Sequence, residues 1–169
     1  MRPRCGCALV MLLATCTSAF GQAPGPIPVV YSTDLLHPHS DPDDFFDLAT
    51  LFAFPEFDIR ALVIDLGPGD VQPACAAVRQ MMHITGRDAP LALGLRRNLS
   101  RPGDPALDQP APTQDGVHLI LKALHEAEAP VTVFTTGSLR DVAAAYNRAP
   151  DLFRTKTARV YINAGAIGA

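Results

Sequence analysis

The sequence predicts one α/β domain built on an open, mainly parallel sheet with helices on both faces. Three observations lead to this fold class. Short apolar runs alternate with segments whose apolar residues recur at helical spacing. Gly and Pro separate most of these segments. The chain has 169 residues, of which 48% are hydrophobic, enough for one domain with a sizeable core.

The alternation of strands and helices begins at residue 27 and continues along the chain. Strands are predicted at 27–33, 59–66, 90–93, 131–136 and 158–163, and helices at 42–54, 71–85, 113–127 and 139–147. A loop rich in Pro, Asp and Gly occupies 98–112. This order is typical of a Rossmann-like sheet, which binds its ligand outside the carboxyl ends of its strands.

The first 23 residues have the pattern of a secretory signal peptide. Two arginines open the chain, residues 8–14 are apolar but too few to span a bilayer, and small residues follow. We therefore expect an exported protein, periplasmic or extracellular, whose domain occupies residues 24–169. A lipoprotein anchored through Cys16 is the alternative. Removal of the signal would leave only Cys75, which we expect to be a small core residue.

Charge and hydropathy argue against two classes of partner, nucleic acid and the membrane interior. A formal net charge of −3 without any basic run does not suit binding to a nucleic-acid backbone. Stable membrane insertion is not expected either, because no apolar segment is long enough to span a bilayer.

The chain ends at Ala169, directly after an apolar strand-like run, and we expect this point to lie within the fold, so that the fold is truncated at its C-terminal side.

The most informative segment follows the first predicted strand. It carries four carboxylates, those of Asp34, Asp41, Asp43 and Asp44. Asp41 can cap the next helix with Pro42 as its first residue, and acids in a first turn complement the helix dipole. Capping does not account for all four, because clustered carboxylates repel unless a cation compensates them. Oxygen-only clusters favour Ca²⁺ over Mg²⁺, and His37 and His39 leave zinc as an alternative.

This segment resembles the start of the nucleoside hydrolases of the inosine/uridine-preferring type. In that family two aspartates flanking one residue end the strand, and an Asp-Asp pair opens the helix. Here Ser32-Thr33-Asp34 ends the strand, so Ser32 stands where an Asp is usual. Asp43 and Asp44 form the pair, after a loop five residues longer than in the family.

The resemblance runs from about residue 28 to the end of the chain. It includes the Pro-Glu segment and strand at 55–63, and the strand ending in Thr-Gly with the helix start after it at 131–143. The later segments 149–153 and 160–165 match the next helix end and strand of the family.

The resemblance implies hydrolysis of the N-glycosidic bond of purine or pyrimidine ribonucleosides through an oxocarbenium-like transition state. It implies Ca²⁺ bound by Asp34, Asp44 and the backbone carbonyl of Thr136, with Asp34 as general base toward a Ca²⁺-held water. Asp43 and Asn163 are implied to contact the ribose. The partner is then a small-molecule nucleoside, and a homo-oligomer stays open.

Two parts of the family pattern are missing from this chain. A further calcium-ligating Asp, often beside a His near the leaving base, comes from the C-terminal half of the family, so this chain alone is expected to lack part of the site. The Gly-Asn usual after the second strand is replaced by residues 67–70. Asp65 or Asp70 is a candidate substitute, although we expect Asp70 to be a surface turn residue.

Two other functions remain open from the sequence. One is a non-catalytic or degenerate Ca²⁺-dependent module that binds a nucleoside or sugar. The other is a different metal-dependent α/β hydrolase, such as a phosphohydrolase. An aspartyl-phosphate enzyme needs a lysine near the strand ends, and the only lysines, Lys122 and Lys156, lie elsewhere.

Overall fold

The computed structural model describes residues 25–36 and 42–163. These residues form one sheet flanked by helices. The strands are β1 (Ile27–Thr33), β2 (Phe57–Ile64), β3 (Leu91–Leu93), β4 (Val131–Thr135) and β5 (Thr157–Ile162). The α-helices are α1 (Asp43–Ala53), α2 (Gln72–Thr85), α3 (Asp115–Glu126), α4 (Arg140–Arg148) and α5 (Pro150–Lys156), and a short 3₁₀ turn covers Ala111–Thr113.

The five strands are parallel and lie in the order β3-β2-β1-β4-β5. The chain first adds strands to one side of β1 and then, after β3, crosses to the other side. The strand order therefore reverses between β1 and β4, and the chain continues from these two strands into helices on opposite faces of the sheet. A crevice at such a reversal is where open parallel sheets bind ligands. The predicted fold class is confirmed.

Each face of the sheet is covered by its own hydrophobic core. Val29 and Tyr31 of β1 pack with α1 and α2, whereas Val30 packs with α3, α4 and α5 on the opposite face. This division follows from the alternation of side chains along a strand. The strand β5 lies at the edge of the sheet and most of its residues are exposed. Cys75 is a buried free thiol, as expected for a small core residue.

Most element boundaries agree with the sequence, and the exceptions have local causes. β2 ends at Ile64 and not at residue 66, which leaves Asp65 to begin the following loop. α1 begins one residue later than expected, because Pro42 occupies the capping position, and Asp41 lies outside the described residues. The additional helix α5 begins at Pro150, since proline cannot continue α4 but suits a first helical turn.

No helix within residues 25–36 and 42–163 is long and apolar enough to cross a membrane. The predicted signal peptide lies outside the described residues. Export and the lipoprotein alternative therefore stay predictions.

Candidate active site

Asp44 is a buried carboxylate in the first turn of α1. Its side chain is 3% exposed, and Thr33 at the end of β1 donates a short hydrogen bond to Asp44 Oδ2. The other oxygen, Oδ1, is buried and has no hydrogen-bond partner among the described residues. A buried carboxylate oxygen without a donor is costly in an apolar environment. The position of Asp44 therefore suits a bound cation.

The electrostatics of Asp44 point the same way. Burial raises the pKa of Asp44 to about 6, and the nearby carboxylates of Asp34 and Asp43 raise it as well, whereas the hydrogen bond from Thr33 and the neighbouring hydroxyl of Thr136 lower it. A positive charge at this position would favour the ionised form and reverse the shift.

Asp34 follows β1 directly and is half-buried. The loop after β4 lies against it, because a Cβ atom on Gly137 would stand 2.7 Å from the backbone nitrogen of Asp34 and 3.0 Å from its Cγ. Asp34 is also close enough to Asp44 and Asp65 to raise the pKa of both carboxyls. The two loops that flank the reversal in strand order thus meet at Asp34.

Thr136 follows β4 and is fixed by two contacts. Its backbone N–H donates to the Ser32 carbonyl over 3.0 Å, and its hydroxyl lies 3.0 Å from the phenol oxygen of Tyr31. The Thr136 hydroxyl also acts on the pKa of Asp44. Three predicted site residues, Asp34, Asp44 and Thr136, therefore lie together at the carboxyl edge of β1 and β4.

Ser32, at the position where the family usually has an Asp, is fully buried. Its hydroxyl oxygen has no hydrogen-bond partner among the described residues. Ser32 lies in register with Val63 and Thr135 of the neighbouring strands. A serine hydroxyl can coordinate a hard cation more weakly than a carboxylate, so this position supplies less negative charge than an aspartate would.

Asp43 and Asn163, the two predicted ribose contacts, are both exposed. Asp43 is exposed in the first turn of α1, where its Oδ1 accepts the backbone N–H of Asp44 over 2.7 Å. Asn163 follows β5, where its backbone N–H donates to the Thr135 carbonyl over 2.9 Å, and it is exposed. Because β5 is two strands from β1, Asn163 lies roughly 10 Å across the sheet from Asp34.

Asp65 is held by an ion pair and does not act as an open acceptor. Ser138 donates to Asp65 Oδ2 over 2.6 Å, and Arg140 donates to Oδ1 from Nε over 2.9 Å and from Nη2 over 2.5 Å. The Asp65 side chain is fully buried and that of Arg140 is 14% exposed. Burial raises the pKa of Asp65, and the bonds from Ser138 and Arg140 oppose that shift. Asp70, by contrast, is an exposed turn residue whose Oδ1 accepts the backbone N–H of Gln72 at the start of α2.

The local sequence marks Asp65 as a residue that needs a partner, but it does not identify Arg140 as that partner. Asp65 is the one acidic residue at the end of the apolar run 61–66, and a carboxylate that follows a buried strand needs a cation or donors. Its partner could not be identified, because Arg140 is 75 positions away in sequence.

A metal at this site would have few side-chain ligands in the described part of the chain. No group of three or more His, Cys, Asp or Glu side chains that could hold a metal is present there. Asp34 and Asp44 supply two carboxylates, and hydroxyl or carbonyl oxygens of Thr136 and Ser32 are nearby. This oxygen-only set, with an unpartnered buried oxygen, fits a hard cation that takes the rest of its ligands elsewhere.

The zinc alternative rests on His37 and His39, which lie outside the described residues. The remaining histidines, His83, His118 and His125, lie in α2 and α3 away from the strand ends, as expected of ordinary helix residues.

Comparison with known sequences places the chain among relatives. The profile of the inosine-uridine preferring nucleoside hydrolase family matches residues 29–169. The pyrimidine-specific ribonucleoside hydrolase RihA of Citrobacter koseri is 32% identical over 159 residues, and RihA of Escherichia coli is 31% identical over the same length. Each alignment covers 84% of this chain and 49% of the relative. The chain thus spans about half the length of these curated relatives.

Solved structures share the same fold. The inosine-uridine preferring nucleoside hydrolase from Bacillus anthracis superposes with a TM-score of 0.60 at 18% identity, over 79% of this chain and 49% of that one. An inosine-guanosine nucleoside hydrolase superposes with a TM-score of 0.56 at 20% identity, over 78% of this chain and 44% of that one. With the family profile matching nearly the whole of the described domain, the chain belongs to the inosine-uridine preferring nucleoside hydrolase family.

Proposed function

We propose that this chain carries the ribose- and cation-binding part of a ribonucleoside hydrolase, an enzyme that cleaves the N-glycosidic bond between ribose and base. One observation carries the proposal: in a chain of this family, Asp34 and Asp44 converge where the strand order reverses, and Asp44 Oδ1 is buried without a hydrogen-bond donor among the described residues. This is the edge of a parallel sheet at which ligands bind.

The cation that we propose is Ca²⁺, held by Asp34, Asp44 and the Thr136 backbone carbonyl. Ca²⁺ suits this set because it accepts carboxylate and carbonyl oxygens in irregular arrangements. Bound there, it would supply positive charge that lowers the pKa of a coordinated water.

The residues of this chain then have distinct roles. Asp34, half-buried at the crevice, accepts the proton of the attacking water as general base. Asp44 remains ionised beside the cation and is oriented by Thr33. Asp43, exposed on the same helical turn, accepts hydrogen bonds from ribose hydroxyls. Asn163 contacts the far side of the sugar. The carboxylates also stabilise the positive charge that develops on the ribose in the transition state.

We propose pyrimidine ribonucleosides as the first substrate class to test, because the curated relatives RihA are named pyrimidine-specific. Uridine and inosine form the comparison pair. The N-terminal pattern supports action outside the cytoplasm on nucleosides in the surroundings of the cell.

The cation is tested first, through the thermal stability of the protein. A ligand at 100 times its Kd stabilises the folded state by about 2.7 kcal/mol, which raises the Tm of a domain of this size by roughly 5–10 °C. We expect Ca²⁺ to produce this shift in the wild type and in Asp58→Asn, a control at an exposed ion pair with Arg60. Asp44→Asn should abolish it. A shift that persists in Asp44→Asn would place the cation elsewhere.

The reaction is tested by release of base from uridine and inosine, measured by chromatography with and without a chelator. Loss of a general base typically lowers the rate by about 10²–10⁴-fold. We expect Asp34→Asn to show such a loss and Asp58→Asn to keep the wild-type rate. If Ca²⁺ and nucleoside bind but no base is released, the chain is a binding module. Release that survives both the chelator and Asp34→Asn would contradict the proposed mechanism.

A further inference from the structure

We infer that Asp65 is a positioning residue, which holds the loop after β4 against Asp34 through Ser138 and Arg140. The inference rests on the proposed function, because the loop matters for activity only if Asp34 and Thr136 form the site. It assigns a role to three residues that lie next to the site without belonging to the set of proposed cation ligands.

Asp65 is anchored on the sheet at the end of β2. Its backbone N–H donates to the Thr33 carbonyl of β1 over 2.8 Å, and its side chain is fully buried. One side-chain oxygen faces the loop between β4 and α4, and the other faces the first residue of α4. Ser138 donates to one of them over 2.6 Å, and Arg140 donates to the other. One carboxylate thus ties the end of β2 to this loop, across the intervening strand β1.

Ser138 and Arg140 are in turn tied to each other and to neighbouring backbone. The backbone N–H of Arg140 donates to Ser138 Oγ over 3.1 Å. The Arg140 guanidinium also lies directly on Gly67, where a side chain would collide with it, and contacts Asn98 Oδ1 over 3.3 Å. Arg140 is therefore contacted from several sides, and these contacts hold the adjoining loop in position.

The positions of two proposed site residues, Asp34 and Thr136, depend on where this loop lies. Gly137, between Thr136 and Ser138, is packed against the backbone and Cγ of Asp34. Thr136, at the start of the loop, reaches the phenol of Tyr31 with its hydroxyl. Movement of the loop by a fraction of an ångström would shift the Thr136 carbonyl relative to Asp34. Partners that orient metal ligands in this way typically contribute about 10- to 100-fold to metal affinity.

Asp65 itself is not proposed as a ligand. Its two oxygens already accept three hydrogen bonds from Ser138 and Arg140, and the guanidinium neutralises its charge. A cation would have to break the ion pair to reach it. Asp65 therefore acts through the loop and not by direct contact.

The test uses the whole chain with a serine pair that is matched in geometry. Ser138→Ala removes the bond to Asp65. Ser100→Ala is the control, because Ser100 Oγ also donates to an aspartate, Asp104, over 2.6 Å, but on the exposed surface. Ser138→Thr keeps the hydroxyl and should restore the wild-type behaviour. Ca²⁺ affinity is measured by calorimetry, and Tm is recorded for every variant.

A second readout does not depend on the cation. The backbone amide of Thr136 donates to the Ser32 carbonyl, a bond in which Ser138 takes no part. Its hydrogen exchange, followed by NMR without Ca²⁺, reports how firmly the loop is held. We expect about tenfold faster exchange in Ser138→Ala and wild-type exchange in Ser138→Thr and Ser100→Ala.

The outcomes distinguish failure of the positioning role from failure of the proposed Ca²⁺ site. About tenfold weaker Ca²⁺ binding in Ser138→Ala, rescued in Ser138→Thr and absent in Ser100→Ala, supports the positioning role. Equal affinity in all variants overturns it, and so does an equal loss in Ser138→Ala and Ser100→Ala. If the wild type binds no Ca²⁺, the proposed cation site fails, and amide exchange alone then decides whether Ser138 holds the loop. Unchanged exchange at Thr136 overturns the inference in every case.

Discussion

Thr33 fixes the buried carboxylate of Asp44, although its sequence context marks it only as a strand residue. Its hydroxyl donates to Asp44 Oδ2 and accepts the backbone N–H of Leu35 over 3.1 Å. One side chain therefore supports both the helical carboxylate and the turn that follows β1. Valine has nearly the same shape and would leave both partners unsatisfied.

We expect Thr33→Val to destabilise the protein by about 1–3 kcal/mol, the cost of leaving buried polar groups without partners. Loss of the donor should also raise the pKa of Asp44 further and weaken Ca²⁺ binding. Chemical denaturation and calorimetry measure the two effects. Thr50→Val, which removes an exposed hydroxyl bonded to its own helix, is the control and should change neither. Wild-type stability in Thr33→Val would contradict this role.

At the scale of single residues, the sequence shows which side chains can take part in chemistry, but it does not show which distant residues they contact. Asp34 and Asp44 are recognisable because carboxylates cluster after a strand, and the structure brings them together. The pairing of Asp65 with Arg140 and of Tyr31 with Thr136 spans 75 and 105 positions. Such contacts are decided by which strands are neighbours, and no local pattern encodes that.

At the scale of elements, the geometry of α1 directs its two first-turn aspartates toward different environments. Successive residues on an α-helix point about 100° apart. Asp44 consequently faces the sheet and is buried, whereas Asp43 faces solvent. The predicted split between a cation ligand and a ribose contact agrees with this arrangement, and the roles themselves stay predictions.

The loop between β4 and α4 tolerates only glycine at residue 137. A Cβ atom there would stand 2.7 Å from the backbone nitrogen of Asp34 and 2.9 Å from its Cβ. No real Cβ contact is that short, so Gly137→Ala must displace either the loop or Asp34. We expect Ca²⁺ affinity to fall by about tenfold or more while the chain still folds.

The control for this substitution is Gly25→Ala, since a Cβ atom on Gly25 would meet no atom within 4 Å. Calorimetry and circular dichroism separate loss of affinity from loss of fold. Full Ca²⁺ affinity in Gly137→Ala would show that the contact with Asp34 does not shape the site.

At the scale of the whole molecule, Asp141 makes stability depend on pH. Its carboxylate is completely buried at the start of α4, where its two oxygens share the backbone N–H of Leu95. Gly94 and Gly116 pack against it so closely that a side chain on either would collide with it. Burial raises the pKa of Asp141 to about 7, and the charge of Asp65 raises it as well.

The raised pKa of Asp141 determines the direction in which pH changes the stability of the fold. The folded chain holds the Asp141 proton more tightly than the unfolded chain, whose carboxyl titrates near pH 4. This contribution to stability is fully present below about pH 4 and is lost as the pH rises toward 7. An asparagine in place of Asp141 would be uncharged at every pH and would keep an oxygen that can accept from Leu95.

We therefore expect Asp141→Asn to be more stable than the wild type at about pH 8 and to match it near pH 4. Urea denaturation at several pH values measures the difference. Asp151→Asn, at an exposed ion pair with Arg154, should follow the wild type throughout. A difference between Asp141→Asn and the wild type that does not change with pH would contradict the assignment.

Four properties of this protein are encoded in its local sequence: the alternation of strands and helices, the α/β class, the carboxylates after β1 and the family resemblance. These properties are local, since hydrophobic period, turn residues and short motifs are written in neighbouring positions. Four other properties appear only in the folded chain: the strand order, the packing of Gly137 against Asp34, the ion pair of Asp65 and the Asp44 oxygen that has no hydrogen-bond partner among the described residues. Those depend on which distant segments share an edge of the sheet, which is set by packing over the whole chain.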